Sequence, residues 1–132
     1  MNWPLHYPEQ CPPTDAYKYQ GRIFRFTNRT HASVKDFTSH YERKPNENWE
    51  DPCQARGLSV VNCLVGLKEM RKSVPALRRK KICEAVISTD EGVIADTPSN
   101  SSKRHKTWWL PTSLENPVEM FFSFDESELS DV

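Results

Sequence analysis

The side chains able to do chemistry in this chain are few, and most lie within apolar surroundings. On an extended segment, His105-Lys106-Thr107-Trp108-Trp109-Leu110-Pro111 alternates between two faces. His105, Thr107 and Trp109 then share one side, and Lys106, Trp108 and Leu110 the other. A histidine, a hydroxyl and an indole on one sheet face can line a ligand pocket. They can equally form a face packed under the proline-rich N-terminal arm. Only one of the two tryptophans can stand beside His105, and that one is Trp109; Trp108 goes to the core or to the other surface. Arg25, Ser59 and Glu84 are further candidates for the same pocket. Glu84 is an acid flanked on its own face by Ile82 and Val86, or else a residue of a solvated edge strand.

Other chemistries find less support. Cys11, Cys53, Cys63 and Cys83 form no C-x-x-C pair, and no histidine stands at ligand spacing from them, so no metal site is expected. Cys63 and Cys83 lie in apolar stretches and read as small core residues. Cys53 follows Pro52 in a polar loop and is the one candidate for a reactive thiol, yet nothing places a base beside it. With four glycines and neither G-x-x-x-x-G-K nor G-x-G-x-x-G, a P-loop or Rossmann site is excluded, and no cofactor is expected. The basic run Arg71, Lys72, Arg78, Arg79, Lys80 and Lys81 can meet phosphates or an acidic partner. The plainer reading is a solvated helix face and C-terminus, screened in cis by the acidic tail.

These residues need elements to position them. Gly21 to Thr27 alternates as a first strand, with Arg22, Phe24 and Phe26 on one face and Ile23 and Arg25 on the other. Residues 28 to 56 read as irregular, with a helical turn at Val34 to Phe37 capped by Ser33 and one buried anchor, Trp49. Gly57 to Val61 is a short second strand, after which Asn62 can cap a helix. Leu64, Leu67, Met70, Val74 and Leu77 make one apolar stripe, and Pro75 breaks it. This predicts a helix over 63–73 and a second turn from Pro75 to Arg79. Lys81 to Ser88 and Val93 to Thr97, joined by Thr89-Asp90-Glu91-Gly92, read as a β-hairpin. The His105 strand follows, ended by Pro111. A last strand, Val118 to Phe124, would bury Val118, Met120, Phe122 and Phe124. The sum is α+β: about six short, mostly antiparallel strands in a sheet or open barrel, with one broken helix between strands 2 and 3.

At 132 residues the chain reads as one domain, 20–124, preceded by an extended arm, 1–19, and followed by a frayed acidic tail, 125–132. The arm combines Pro4, Pro8, Pro12 and Pro13 with Trp3, Tyr7, Tyr17 and Tyr19, and can lie along the domain or reach a partner subunit. Mean hydropathy is −0.75, and the aromatic fraction of 11% compensates, because each ring buries a large area. Basic and acidic residues balance at 18 each, and no aromatics suited to base stacking flank the basic run, so nucleic acid is not an expected partner. The N-terminus has no basic n-region and no apolar h-region, and no window is apolar enough to span a membrane. A cytoplasmic protein with reduced thiols is the expectation.

The chain resembles small uncharacterised bacterial proteins that share its Gly57-Leu58-Ser59-Val60 and His105-x-Thr107-Trp108-Trp109 segments, over roughly residues 22 to 122. That likeness implies no activity. The strand order also resembles small ADP-ribosyltransferase-type domains. It implies an Arg or His on the first strand, a Ser or Thr on the second and a late Glu, here Arg25, Ser59 and Glu119. The missing catalytic and cofactor motifs favour a binding or interaction component of a bacterial multi-protein system, associating with a protein partner or with itself through the arm. The alternative is an NAD- or nucleotide-handling enzyme, with Arg25, Ser59, His105 and a glutamate around one cleft.

Overall fold

The computed structural model describes residues 1–132 as α+β, with all strand pairs antiparallel and the strands divided between two three-stranded sheets. In the first, β3 (Lys81–Ile87) is central, between β1 (Gly21–Thr27) and β6 (Phe122–Ser123). In the second, β5 (Lys106–Trp109) lies between β2 (Leu58–Val60) and β4 (Val93–Asp96). The sheets meet where β1 runs beside the end of β2. Phe24 N–H donates to the Val61 carbonyl at 2.8 Å and Val61 N–H donates back to Phe24 at 3.2 Å.

That junction gives β1 two buried faces. Ile23 enters a core with Cys83, Ala85 and Ile87 of its own sheet and Leu58, Val60, Ile94 and Trp108 of the other. Phe24 points the opposite way, into a second core with Ile82, Leu67, Met70 and Phe124. The apolar stripe of α2 (Leu64–Ser73) closes this second core, as the spacing predicts. Cys63, not Asn62, occupies the N-terminal cap position, and its side chain makes no capping bond. Pro75 ends the helix and opens the tighter turn Pro75–Arg79. Arg78 donates to the carbonyls of Arg71 and Lys72, and Arg71 to those of Leu77 and Lys80. These cations therefore satisfy the carbonyl groups that a helix C-terminus leaves open.

The expected hairpin does not form. β3 pairs with β1 over all seven residues, from Gly21 opposite Ile87 to Thr27 opposite Lys81, while β4 pairs with β5 in the other sheet. The turn after β3 carries the chain between sheets. Gly92 has φ +106°, and a Cβ there would overlap the Trp109 carbonyl and the Trp108 ring. Alternation and a turn glycine signal a reversal of direction, but they do not say which strand supplies the ladder. The final strand is also shorter than expected. Pro117 starts a 3-10 turn, Pro117–Met120, because a residue without an amide donor fits the first position of a helical turn. Phe124 is buried as the alternation predicts, but Phe121 is buried in place of Phe122, which is 57% exposed.

Residues 28 to 56, expected to be irregular beyond one turn, also contain α1 (His40–Arg43). Ser39 caps it by accepting from Glu42 N–H, and the Glu42 carboxylate accepts from Ser39 N–H in return. Trp49 is partly buried, with its indole N–H on the Lys44 carbonyl.

Trp108 and Trp109 do lie on opposite faces of β5, and both are buried, at 0% and 1% exposure. Trp108 belongs to the core between the sheets. Trp109 lies beneath the N-terminal arm with Trp3, Tyr7, Ala16 and Cys11 around it, and its indole N–H reaches the Cys53 carbonyl at 2.9 Å. Cys11 and Cys53 are joined as a disulfide, which overturns the expectation of reduced thiols throughout. The arm is further tied by the Tyr17–Ile94 bridge and by Thr112 N–H donating to Asn2. At the other end the tail is not frayed: Glu126–Asp131 forms a 3-10 helix, with Glu126 on Arg71 at 2.5 Å and Glu128 on Arg22 at 3.3 Å. No helix is long and apolar enough to cross a membrane.

The disulfide is checked by counting thiols. Unfolded without reductant, the protein should titrate only Cys63 and Cys83. Prior reduction should expose all of its cysteines and lower stability by about 2–4 kcal/mol, read as a fall in Tm. Four reactive thiols in the unreduced protein would contradict the pairing.

Candidate functional site

At the junction of the sheets lies a cleft of about 240 Å³ with Arg25, Asp36, His40, Arg43, Ser59 and Lys80 in its walls. Arg25 comes from β1, on the face it shares with Ile23. Its two Nη groups donate to the backbone carbonyls of Ser59 at 2.5 Å and Asp36 at 2.6 Å, and its guanidinium carbon lies 5.6 Å from the centre of the Phe37 ring. A guanidinium has five N–H donors, so these contacts fix the plane while leaving donors free. The Nε–H is buried without any partner. Burial pushes the Arg25 group down to about 10, against the opposing pull of Cys83 and Asp36, and it remains a cation at neutral pH. Cys83, opposite Arg25 in the ladder, has its thiol pushed up to about 12 by burial and is not a nucleophile.

The remaining charges of the cleft are mostly positive. Arg43 comes from α1, and Lys80 from the turn before β3; His40 of α1 also lines the wall. Lys80 is bonded to Asn28. The Asp36 carboxylate is buried and held by the backbone N–H groups of Ser33 and Asn28, at 2.8 and 3.2 Å. It fixes the loop and does not offer a free acid to the cleft.

Ser59 stands on β2, exposed, opposite Thr107 of β5. Its Oγ lies 2.9 Å from Nε2 of His105, the residue just before β5. His105 is buried, at 7% exposure, and its Nδ1 lies 2.9 Å from both the carbonyl and the hydroxyl of Thr97. A carbonyl can only accept, so Nδ1 carries the proton and Nε2 presents its lone pair to the Ser59 hydroxyl. Thr97 Oγ1 continues to Thr107 Oγ1 at 2.8 Å. The result is a line from the hydroxyl of an exposed serine through a neutral imidazole to a fixed carbonyl. Desolvation holds the His105 pKa below its ordinary value, the bond to Thr97 opposes this, and the Arg25 charge adds to the lowering.

Of the residues singled out from sequence, Arg25, Ser59, His105 and Thr107 are thus brought together. Trp109 is not: its face of β5 continues under the arm, where the ring is covered. Glu84 lies in the other sheet, on the face of Phe24, and pairs with Arg22 at 3.0 Å. Glu119 is exposed on the turn Pro117–Met120, outside the cleft wall. The late glutamate implied by the resemblance is therefore missing from the cleft. Thr97, His40 and Arg43, and the individual part played by Lys80, do not stand out in the sequence pattern. The Ser39-x-x-Glu42 capping box was a legible signal for α1 and hence for His40 and Arg43; nothing local marked Thr97.

A second cleft, of about 330 Å³, adjoins the first across Thr38 and Leu58, with Pro4, His6 and Tyr7 of the arm on one side and Leu110 and Leu114 on the other. No group of three His, Cys, Asp or Glu side chains is placed to hold a metal ion. No family model, no curated protein and no solved structure matches this chain.

The lowered pKa of His105 has a stability consequence. Just below the ordinary histidine value of about 6.5, the unfolded chain binds more protons than the folded one, so stability falls on acidification. Melting curves between about pH 7 and pH 5 should show Tm declining in the wild type and declining less in His105→Gln. His6, lowered by burial and by Arg56, acts in the same direction, so the difference between the two proteins isolates His105. Parallel curves would rule out a buried neutral imidazole.

Proposed function

We propose that the chain is a nucleotide-handling enzyme of the ADP-ribosyltransferase type, acting on NAD or a related nucleotide bound in the cleft at the sheet junction. One observation carries this reading: Arg25 on the first strand and Ser59 on the second share the cleft, and His105 is bonded to the Ser59 hydroxyl. Arg25 is held rigidly by two carbonyls and keeps free donors, so it can meet a phosphate at little cost in side-chain ordering. Arg43 and Lys80 add positive charge to the same space. The neighbouring cleft, where Leu58, Leu110 and Leu114 stand beside Glu42, Arg56 and Glu115, gives room for a base or an acceptor group. The reading departs from the resemblance at the acid, since neither Glu119 nor Glu84 lies in the cleft wall.

Calorimetric titration with NAD and with ADP-ribose tests it. The wild type should bind, and Arg25→Lys, which keeps the charge but loses the planar fork, should bind at least about tenfold more weakly, or about 1.4 kcal/mol. Absence of binding to the wild type, or equal binding by Arg25→Lys, would sink the reading.

A second reading, an interaction component of a multi-protein system, draws on a different surface. Val86 and Phe122 are 62% and 57% exposed on the same face of the first sheet, beside the short edge strand β6. Association of two copies there would bury both. Light scattering should then give a dimer for the wild type and a monomer for Phe122→Ser; a monomeric wild type would remove this reading.

A further inference from the structure

We propose that Ser59 is a nucleophile whose proton is taken by His105. The geometry has the parts that an activated hydroxyl requires: a nucleophile, a base in hydrogen-bond reach and a group that orients the base. Ser59 Oγ and His105 Nε2 are 2.9 Å apart, and Nδ1–H is fixed on the Thr97 carbonyl at the same distance. Ser59 is exposed while the imidazole it meets is buried, and Ser59 lines the cleft, so a substrate bound there lies beside it without displacing the base. Arg25 is anchored on Ser59's own carbonyl and keeps a buried, unpartnered Nε–H in the wall it shares with Ser59. A fixed cation beside the nucleophile can hold an anionic group of the substrate, such as a phosphate, in reach of Oγ. The free thiols offer no rival: Cys83 is buried and raised, and Cys63 does not line the cleft.

The substrate class rests on the nucleotide-handling reading above. With NAD, Oγ attacks the ribose carbon that carries nicotinamide. The Oγ–carbon bond forms as the carbon–nitrogen bond breaks, nicotinamide leaves as a neutral base with the bonding pair, and the hydroxyl proton passes to His105 Nε2. Water then displaces Oγ from the same carbon. Oγ recovers its proton from His105, the water's proton goes to solvent, and ADP-ribose is released. No oxidant or reductant is needed. The late glutamate implied by the resemblance has no counterpart in the cleft, and the hydroxyl–imidazole pair supplies the reactive group in its place.

A fluorophosphonate probe tests the nucleophile without assuming the substrate, because the Oγ–phosphorus bond forms as fluoride leaves and the same proton goes to Nε2. Mass spectrometry should find one adduct per folded chain, on Ser59, lost in Ser59→Ala. Labelling of the wild type should outpace that of a free serine derivative by roughly a hundredfold or more, and His105→Gln should remove most of that advantage. The free-serine comparison needs no variant and stands even if His105→Gln fails to fold. Incubation with NAD should add an ADP-ribosyl group at Ser59 in the wild type and none in Ser59→Ala. Absence of any Ser59 adduct with the probe overturns the proposal even if NAD binds, and leaves the nucleotide reading standing. A Ser59 adduct with the probe and no NAD binding does the reverse.

Discussion

The pair of backbone hydrogen bonds between Phe24 and Val61 is the constraint on which the rest of the architecture depends. It brings two separate ladders edge to edge, so that β1 must bury both of its faces. Ile23 and Phe24, adjacent in sequence, consequently enter different cores. Continuing along β1, the next side chain is a cation that cannot reach solvent freely. Arg25 is accommodated because carbonyls of Ser59 and Asp36 accept from it and because Phe37 lies against it. A partly buried charge is stabilised by such partners. The contact that closes the sheet junction is therefore also the contact that fixes the cation of the cleft.

The second sheet is completed by the N-terminal arm. Both faces of β5 carry a tryptophan, and a three-stranded sheet with two apolar faces needs cover on each side. The first sheet covers Trp108, while the arm covers Trp109 and is held by Cys11–Cys53 and the Tyr17–Ile94 bridge. Gly57 belongs to this arrangement, since a Cβ there would overlap the Thr107 methyl and crowd Trp109. Toward the other end of the same face the cover ends, and the polar line from Ser59 to Thr97 comes to the surface. One sheet face is thus dry at Trp109 and polar at Ser59.

Net charge is zero, yet the charges are sorted. Arg78 satisfies the end of α2, Arg71 bonds the turn after it, and the acidic tail turns back onto Arg71 and Arg22. Lys80, Arg43 and Arg25 are left around the cleft, where the one carboxylate, Asp36, is held by backbone N–H groups. An overall balance of charge therefore coexists with a local excess of cations, which is the feature an anionic ligand would find.

Much of the fold was legible because it rests on local periodicity. The alternation of β1, the apolar stripe of α2, its break at Pro75, the placing of Trp108 and Trp109 on opposite faces and the α+β class all follow from side-chain spacing. Arg25, Ser59, His105 and Thr107 were identifiable as polar groups on otherwise buried strands. What spacing cannot contain is the identity of a strand's partner, since every strand presents the same donors and acceptors along its edge. The pairing of β3 with β1 instead of β4, the burial of Phe121 in place of Phe122, the joining of Cys11 to Cys53 and the exclusion of Glu84 and Glu119 from the cleft were decided by tertiary packing. So was the bond from Ser59 to His105, because it requires two strands that are 46 residues apart in the chain to lie side by side in one register.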